Sequence, residues 1–182
     1  MTIDEMLEKV AKNLNVPPVT ESKAPSHTNS VPKSEQGPVL VHNENKLSLD
    51  IAKEIAYLIE KAALQIGVKV VISVDNDGAN LILLHAMDES YIASIKASQE
   101  KAYTAVALKM PTHVALQESR GGALDGYTNG NGILMLGGGF PLEYGGRIYG
   151  GVGVSGGTKE QDIILAKAGA EYFRARMNMK NK

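Results

Sequence analysis

The sequence predicts an α+β fold built on an antiparallel sheet, on three observations. Helical stretches and short strands follow in the order α-β-β-α-(α)-β-β-α, without the β-α-β rhythm of a parallel sheet. An Asp77-Gly78 turn signal joins two alternating strands into a hairpin. A glycine-rich region with further short strands runs directly into the last helix.

Taken in order, residues 2–14 predict a short amphipathic helix. Ile3, Met6, Leu7, Val10 and Leu14 share one face, and Thr2 with Glu5 fits a capping box. Pro17-Pro18 stops it. Residues 17–46 carry Pro17, Pro18, Pro25, Pro32 and Pro38 among polar residues, the composition expected of a disordered linker. A helix of this length is marginal alone in water, so its apolar stripe on a tether points to docking on a partner.

The folded domain is expected over 47–182. Ser48 is a candidate N-cap for a helix whose buried face is Ile51, Ile55, Leu58, Ala62 and Ile66, with Gly67 placed to end it. Val68 to Val74 alternates as a strand, and Leu81 to Ala86 returns after the turn. Ser90 to Lys109 is a second helix, rich in alanine (Ala93, Ala97, Ala102, Ala105, Ala107), which allows close packing on a sheet. Pro111 ends it, and Thr112 to Ser119 adds a turn or two. Strands are expected at Ile133–Leu136 and Arg147–Val154. The last helix is expected from Thr158 to Arg176, with Thr158 and Gln161 as a capping box and Ile163, Ala166, Ala170 and Phe173 as its stripe.

Composition narrows the function. The 182 residues carry a net charge of −1, so no general attraction to nucleic acid or an anionic membrane is expected. There is no cysteine, which excludes disulfides, thiolate metal sites and thiol nucleophiles. No apolar run reaches transmembrane length, and the N-terminus lacks a secretory h-region.

Chemistry is sought first in the glycines. Of 19, 15 lie between Gly121 and Gly157, a window with only Asp125, Glu143 and Arg147 charged. Such density serves tight turns or close approach of backbone to a ligand, the latter suiting Gly137, Gly138 and Gly139. Gly156-Gly157 precedes the last helix, where N–H groups and the helix dipole favour a carboxylate or phosphate. Gly151 to Gly156 matches G-x-G-x-x-G, but no strand follows to complete a dinucleotide fold, and no P-loop occurs. His27 and His42 fall in the linker; His85 ends a strand and His113 follows Pro111. None has a second histidine at zinc spacing. Lys101, near Thr104, is expected either on a solvated face beside Lys96 and Glu100 or as a cation at a pocket rim. Asp162 reads as a surface residue complementing the helix dipole. Ser155 lacks a nucleophile context.

Read together, Val70–Asp75, Asp77-Gly78, Met87-Asp88, Lys101-Ala102 with Thr104-Ala105, Pro111-Thr112, Gly137 to Pro141, and Gly153 to Gly157 with Gln161-Asp162 and Ala168-Gly169 resemble the GlcG/HbpS family. That family includes the C-terminal domain of PduO-type proteins. The resemblance covers essentially all of 47–182, and its closing G-V-S-G-G…Q-D…A-x-A-G pattern is the most specific part. It implies a profilin-like α+β fold, homo-oligomers, and binding of haem or a related tetrapyrrole, with roles in haem sensing or corrinoid metabolism. Two departures stand out. His85-Ala86 precede Met87-Asp88 where relatives commonly carry arginine, with Glu89 in place of a small residue after the pair. No histidine lies between Leu49 and Ile66, where some haem-binding relatives have one.

The N-terminal helix and linker resemble an encapsulation peptide of bacterial microcompartment cargo. The expectation is therefore a haem- or, second, cobalamin-binding accessory protein in a microcompartment lumen within the cytoplasm, meeting shell or cargo proteins through residues 1–16. His85, Lys101, Thr104, Gly138, Gly139, Gly156 and Gly157 are expected around the ligand. His85 is expected on the iron, ahead of His113, a tyrosine or a methionine. The alternatives are a cobalamin adenosyltransferase or reductase accessory, although 182 residues leave no room for the separate helical adenosyltransferase domain, and a structural cargo protein without ligand.

Overall fold

The computed structural model describes residues 46–180. The helix expected over 2–14 and the linker up to residue 45 lie outside the described residues.

Helix α1 (Leu49–Gln65) is capped by Ser48, whose hydroxyl accepts from the Ile51 N–H at 3.3 Å. Its end is a Schellman turn: Gly67 at φ +72° donates to the Leu64 carbonyl, and Val68 to that of Ala63. Val68 thus closes the helix, and strand β1 (Val71–Asn76) starts three residues later than expected. Strand β2 (Leu81–Ala86) returns antiparallel. In the hairpin the Asn76 Oδ1 accepts from the N–H groups of Gly78 and Asn80 at 2.9 and 3.0 Å. The left-handed residue is Ala79 (φ +56°), one past the Asp-Gly pair.

Helix α2 (Ile92–Leu108) ends on left-handed Lys109 (φ +54°), and Pro111 opens the short α3 (Thr112–Glu118). Strand β3 (Gly139–Tyr144) and β4 (Arg147–Ser155) form a second hairpin through Gly145-Gly146, both left-handed. Helix α4 (Lys159–Lys180) follows. Its expected capping box is present: Thr158 N–H donates to Gln161 Oε1 at 2.8 Å, and Gln161 N–H to Thr158 Oγ1 at 3.3 Å.

One expected strand is corrected. Ile133–Leu136 makes only an isolated bridge, Gly130 to Ile133, and the sheet strand is β3. Ile133 and Met135 instead bury against Ala115 in a small satellite core. The loop is pinned by side chains: Leu134 N–H donates to Thr104 Oγ1 and Met135 N–H to Asn129 Oδ1, both at 2.8 Å. Pro141, which cannot donate to a ladder, is tolerated because β3 is an edge strand.

The sheet order is β2-β1-β4-β3, all antiparallel. Strand alternation then sorts the faces. Ile72, Val74, Val152, Val154 and Leu142 meet Ile55, Ile59, Leu165 and Phe173 of α1 and α4, forming the main core. Val71, Ser73, Asp75, Gly151, Gly153 and Ser155 turn to the other face, which α2 covers. There the helix lies almost on the sheet: a Cβ at Gly153 would meet the Ser98 carbonyl, and one at Gly151 would sit 2.7 Å from that of Ala102. The stripe of α4 is broader than expected, with Ile164, Leu165, Ala166, Ala168, Phe173 and Met177 all buried. The expected α+β class holds: an antiparallel sheet with helices on both faces.

Candidate functional site

The residues marked from the sequence divide into two places. Lys101 lies neither on a solvated face nor free at a rim. It is fully buried midway along α2, and its ammonium donates to Asp162 Oδ2 at 2.8 Å and to the Val154 carbonyl at 2.9 Å. Asp162, expected at the surface, is buried as well. Its other oxygen accepts from the Gly157 N–H at 2.9 Å. Burial pushes the Lys101 ammonium down and the Asp162 carboxyl up, and the opposite charge of each partner resists the change. The pair has the geometry of a charge-assisted bond.

This arrangement alters what the helix N-terminus can do. The anion expected against Gly156-Gly157 is already present, and it is the chain's own Asp162. The three glycines of 137–139 likewise press on protein. Gly138 sits at φ +113°, and a Cβ there would come within 2.8 Å of Asp162 Cβ and 3.1 Å of Lys101 Nζ. A Cβ at Gly139 would meet the Lys101 carbonyl and the Thr112 methyl. Thr112 fastens the loop, its hydroxyl donating to the Leu136 carbonyl at 2.6 Å and accepting from the Gly139 N–H at 2.9 Å. Thr104 does the same from α2, donating to the Glu100 carbonyl at 2.6 Å while accepting from Leu134.

Above the ion pair an open cleft of about 260 Å³ remains. Tyr91, which precedes α2, and Ser94 within it, with Leu136, Ser155, Gly157 and the exposed Lys159, line it, and Lys101 and Asp162 form its floor. Tyr91 is 70 % exposed and the adjoining Ile92 86 %, so an apolar surface adjoins the cleft.

His85 lies elsewhere. It projects from edge strand β2 on the α1 face, half exposed, with its Nδ1 3.6 Å from Glu60 Oε2, and it does not line the cleft. His113 packs against Phe140 with ring centroids 5.5 Å apart, and its buried Nδ1 has no hydrogen-bond partner among the described residues. Burial, with Lys159 and Lys167 nearby, pushes His113 below the usual imidazole range, so it is neutral at neutral pH. Among the described residues no group of three or more His, Asp or Glu is placed to hold a metal ion, and no helix is long and apolar enough to cross a membrane.

A four-stranded antiparallel sheet between helices, with a buried lysine–aspartate pair flooring a cleft where the last helix begins, defines a small α+β domain with one organised end. The model of the family described as haem degrading protein HbpS-like matches residues 47–171. The chain belongs to that family. It is 42% identical over 130 residues to an uncharacterized 15.0 kDa protein of the dhaT-dhaS intergenic region of Citrobacter freundii, covering 70% of this chain and 92% of that protein. It is 31% identical over 116 residues to the corrinoid adenosyltransferase PduO of Citrobacter freundii, covering 62% of this chain but only 34% of PduO. The chain therefore spans about a third of that enzyme. Among solved structures it is similar to protein ORFY of Klebsiella pneumoniae, at 36% identity and TM-score 0.66 over 80% of this chain and 97% of that one. A PduOC:heme complex is similar at 29% identity and TM-score 0.65, covering 69% and 94%.

Proposed function

We propose that this chain binds haem or a related tetrapyrrole at the cleft beside α4, as a non-catalytic accessory protein. The carrying observation is the cleft itself: it combines an apolar wall, an exposed cation and an oxygen donor, in a fold whose relative is known as a heme complex. The fit can be tested residue by residue. Leu136 and the Tyr91–Ile92 surface suit a flat apolar macrocycle. Lys159 suits its acidic groups, a role that Lys101 and the Gly156-Gly157 amides give up to Asp162. The Tyr91 phenol is the iron donor at hand, which moves the proposed ligand from His85 to Tyr91. When bound, haem iron supplies ligand-binding and electron-transfer chemistry. At about 260 Å³ the cleft is smaller than the sites that enclose drug-sized ligands, so it seats part of a macrocycle. A second copy of the chain covers the remainder, in keeping with a homo-oligomer.

Hemin titration of the full chain, followed at the Soret band, tests this. Wild type is expected to saturate with a sharpened band. Tyr91→Phe should shift the band, and Lys159→Ala should weaken binding about two- to fivefold, the scale of one exposed charge contact. His85→Ala should behave as wild type. A weak, broad spectrum in wild type would leave a cargo protein without tetrapyrrole. Cobalamin is the second ligand to assay, because of the likeness to PduO.

Residues 1–16 are proposed to carry the domain into a bacterial microcompartment, in the lumen, by docking the Ile3/Met6/Leu7/Val10/Leu14 stripe on a shell or cargo partner. A reporter fused to residues 1–20 and co-expressed with shell proteins should gather in foci. Leu7→Asp should disperse it, and diffuse fluorescence of the unaltered fusion would remove the proposal.

A further inference from the structure

A second pocket, of about 190 Å³, opens between β1 and the middle of α2. Asp75 forms its floor, with Leu81, Lys96, Gln99, Glu100 and Tyr103 around it. It is lined by Lys96, Gln99, Glu100 and Tyr103 of α2, whereas the cleft is lined by Ala93, Ser94 and Lys101, so the two sites share no residue of the helix.

We propose that this pocket binds a small organic cation, a primary ammonium compound, whose N–H groups donate to the Asp75 carboxylate. Asp75 is 3 % exposed, and its Oδ1 has no hydrogen-bond partner among the described residues. A buried acceptor left unpaired costs free energy that a donor would recover. Among the described residues none supplies that donor. Lys96 is the cation at the rim, but its side chain is 75 % exposed and lies 3.5 Å from Glu100. An anion would meet two carboxylates, Asp75 and Glu100. A divalent metal would find only those two carboxylates, the Gln99 amide and the Tyr103 hydroxyl, short of the six or more oxygens that calcium requires. An ammonium needs fewer contacts, and its carbon chain can lie along Leu81 and the Tyr103 ring. The volume is that of about six waters at roughly 30 Å³ each, which sets the ligand at a few heavy atoms. Desolvation pushes the Asp75 carboxyl up to about 7, consistent with an acid lacking a counterion.

The test uses the full chain at pH 8 and fixed ionic strength, with ethylammonium, ethanol and propionate as probes that share an ethyl group and differ in charge in calorimetric titrations. Ethylammonium is expected to bind one per chain with a Kd on the order of a millimolar, near the ceiling for three heavy atoms. Ethanol and propionate should not saturate. Asp75→Asn should weaken ethylammonium at least about tenfold, as expected for loss of a desolvated charge contact, while its hemin spectrum stays that of wild type. Should Asp75→Asn not fold, the carboxyl resonance of wild-type Asp75 decides: ethylammonium must lower its titration midpoint. Equal binding of all three probes, unchanged binding by Asp75→Asn, or an unmoved midpoint would overturn the proposal. It does not depend on the tetrapyrrole reading, since the two sites have separate readouts.

Discussion

Lys101 and Asp162 lie 61 residues apart and meet in a buried ion pair, so each is costly without the other. Lys101→Met is expected to lower stability by about 3–5 kcal/mol, because it strands a buried carboxylate. Lys101→Met with Asp162→Leu should recover most of that, as shown by urea unfolding of the single and double variants. A loss of hemin binding on removing Lys101 alone would therefore report folding. Asp75 has its own signature. Its native carboxyl holds a proton up to about 7 against 3.8 ordinarily, so the folded state binds that proton more tightly than the unfolded chain. The contribution is whole below the unfolded value and is lost as pH rises through about 7. Relative to Asp75→Asn, wild type should lose up to about 4 kcal/mol between about pH 4 and pH 8, three pKa units at roughly 1.4 kcal/mol each. A flat difference across that range would contradict the assignment. Sequence marked Lys101 and the glycines but read Asp162 as a surface residue, because a pair across 61 residues leaves no periodic trace. Asp75 was within reach: it shares strand parity with Val71 and Ser73, the face that turns inward.

At the scale of elements, what was legible depended on local chemistry. Ser48, Gly67, Thr158 with Gln161, and the Asp77-Gly78 turn each carry a hydrogen-bonding reason within a few residues, and those boundaries were placed closely. Strand β3 was hidden. Its alternation of Phe140, Leu142 and Tyr144 begins in a glycine run and contains Pro141, both adverse to a strand unless it lies at an edge beside another element's backbone. The glycines expected to approach a ligand press on protein: Gly139 on the Lys101 carbonyl of α2, and Gly137 on Ile163 of α4. Gly153→Ala, which would press on Ser98 and Ala102, is expected to cost about 3 kcal/mol or more in urea unfolding, as overpacking does. Lys109→Gly, relieving the left-handed end of α2, should stabilise by about 0.5–1 kcal/mol.

For the whole molecule, the two faces of the sheet do different work. The face under α1 and α4 holds the apolar core, and Tyr172 and Arg176 of α4 clamp Glu54 of α1 at 2.9 and 3.2 Å. The face under α2 carries the polar and titratable groups, Ser73, Asp75, Lys101 and Ser155, and both clefts. Both proposed ligand sites accordingly lie on the α2 side, away from His85. The direct measurement is paramagnetic broadening of backbone amide signals on adding one equivalent of hemin, with zinc protoporphyrin as the diamagnetic reference. Broadening centred on Tyr91, Ser94, Leu136 and Gly157 is the predicted result. Broadening centred on His85 and Glu60, or spread evenly over the surface, would contradict it.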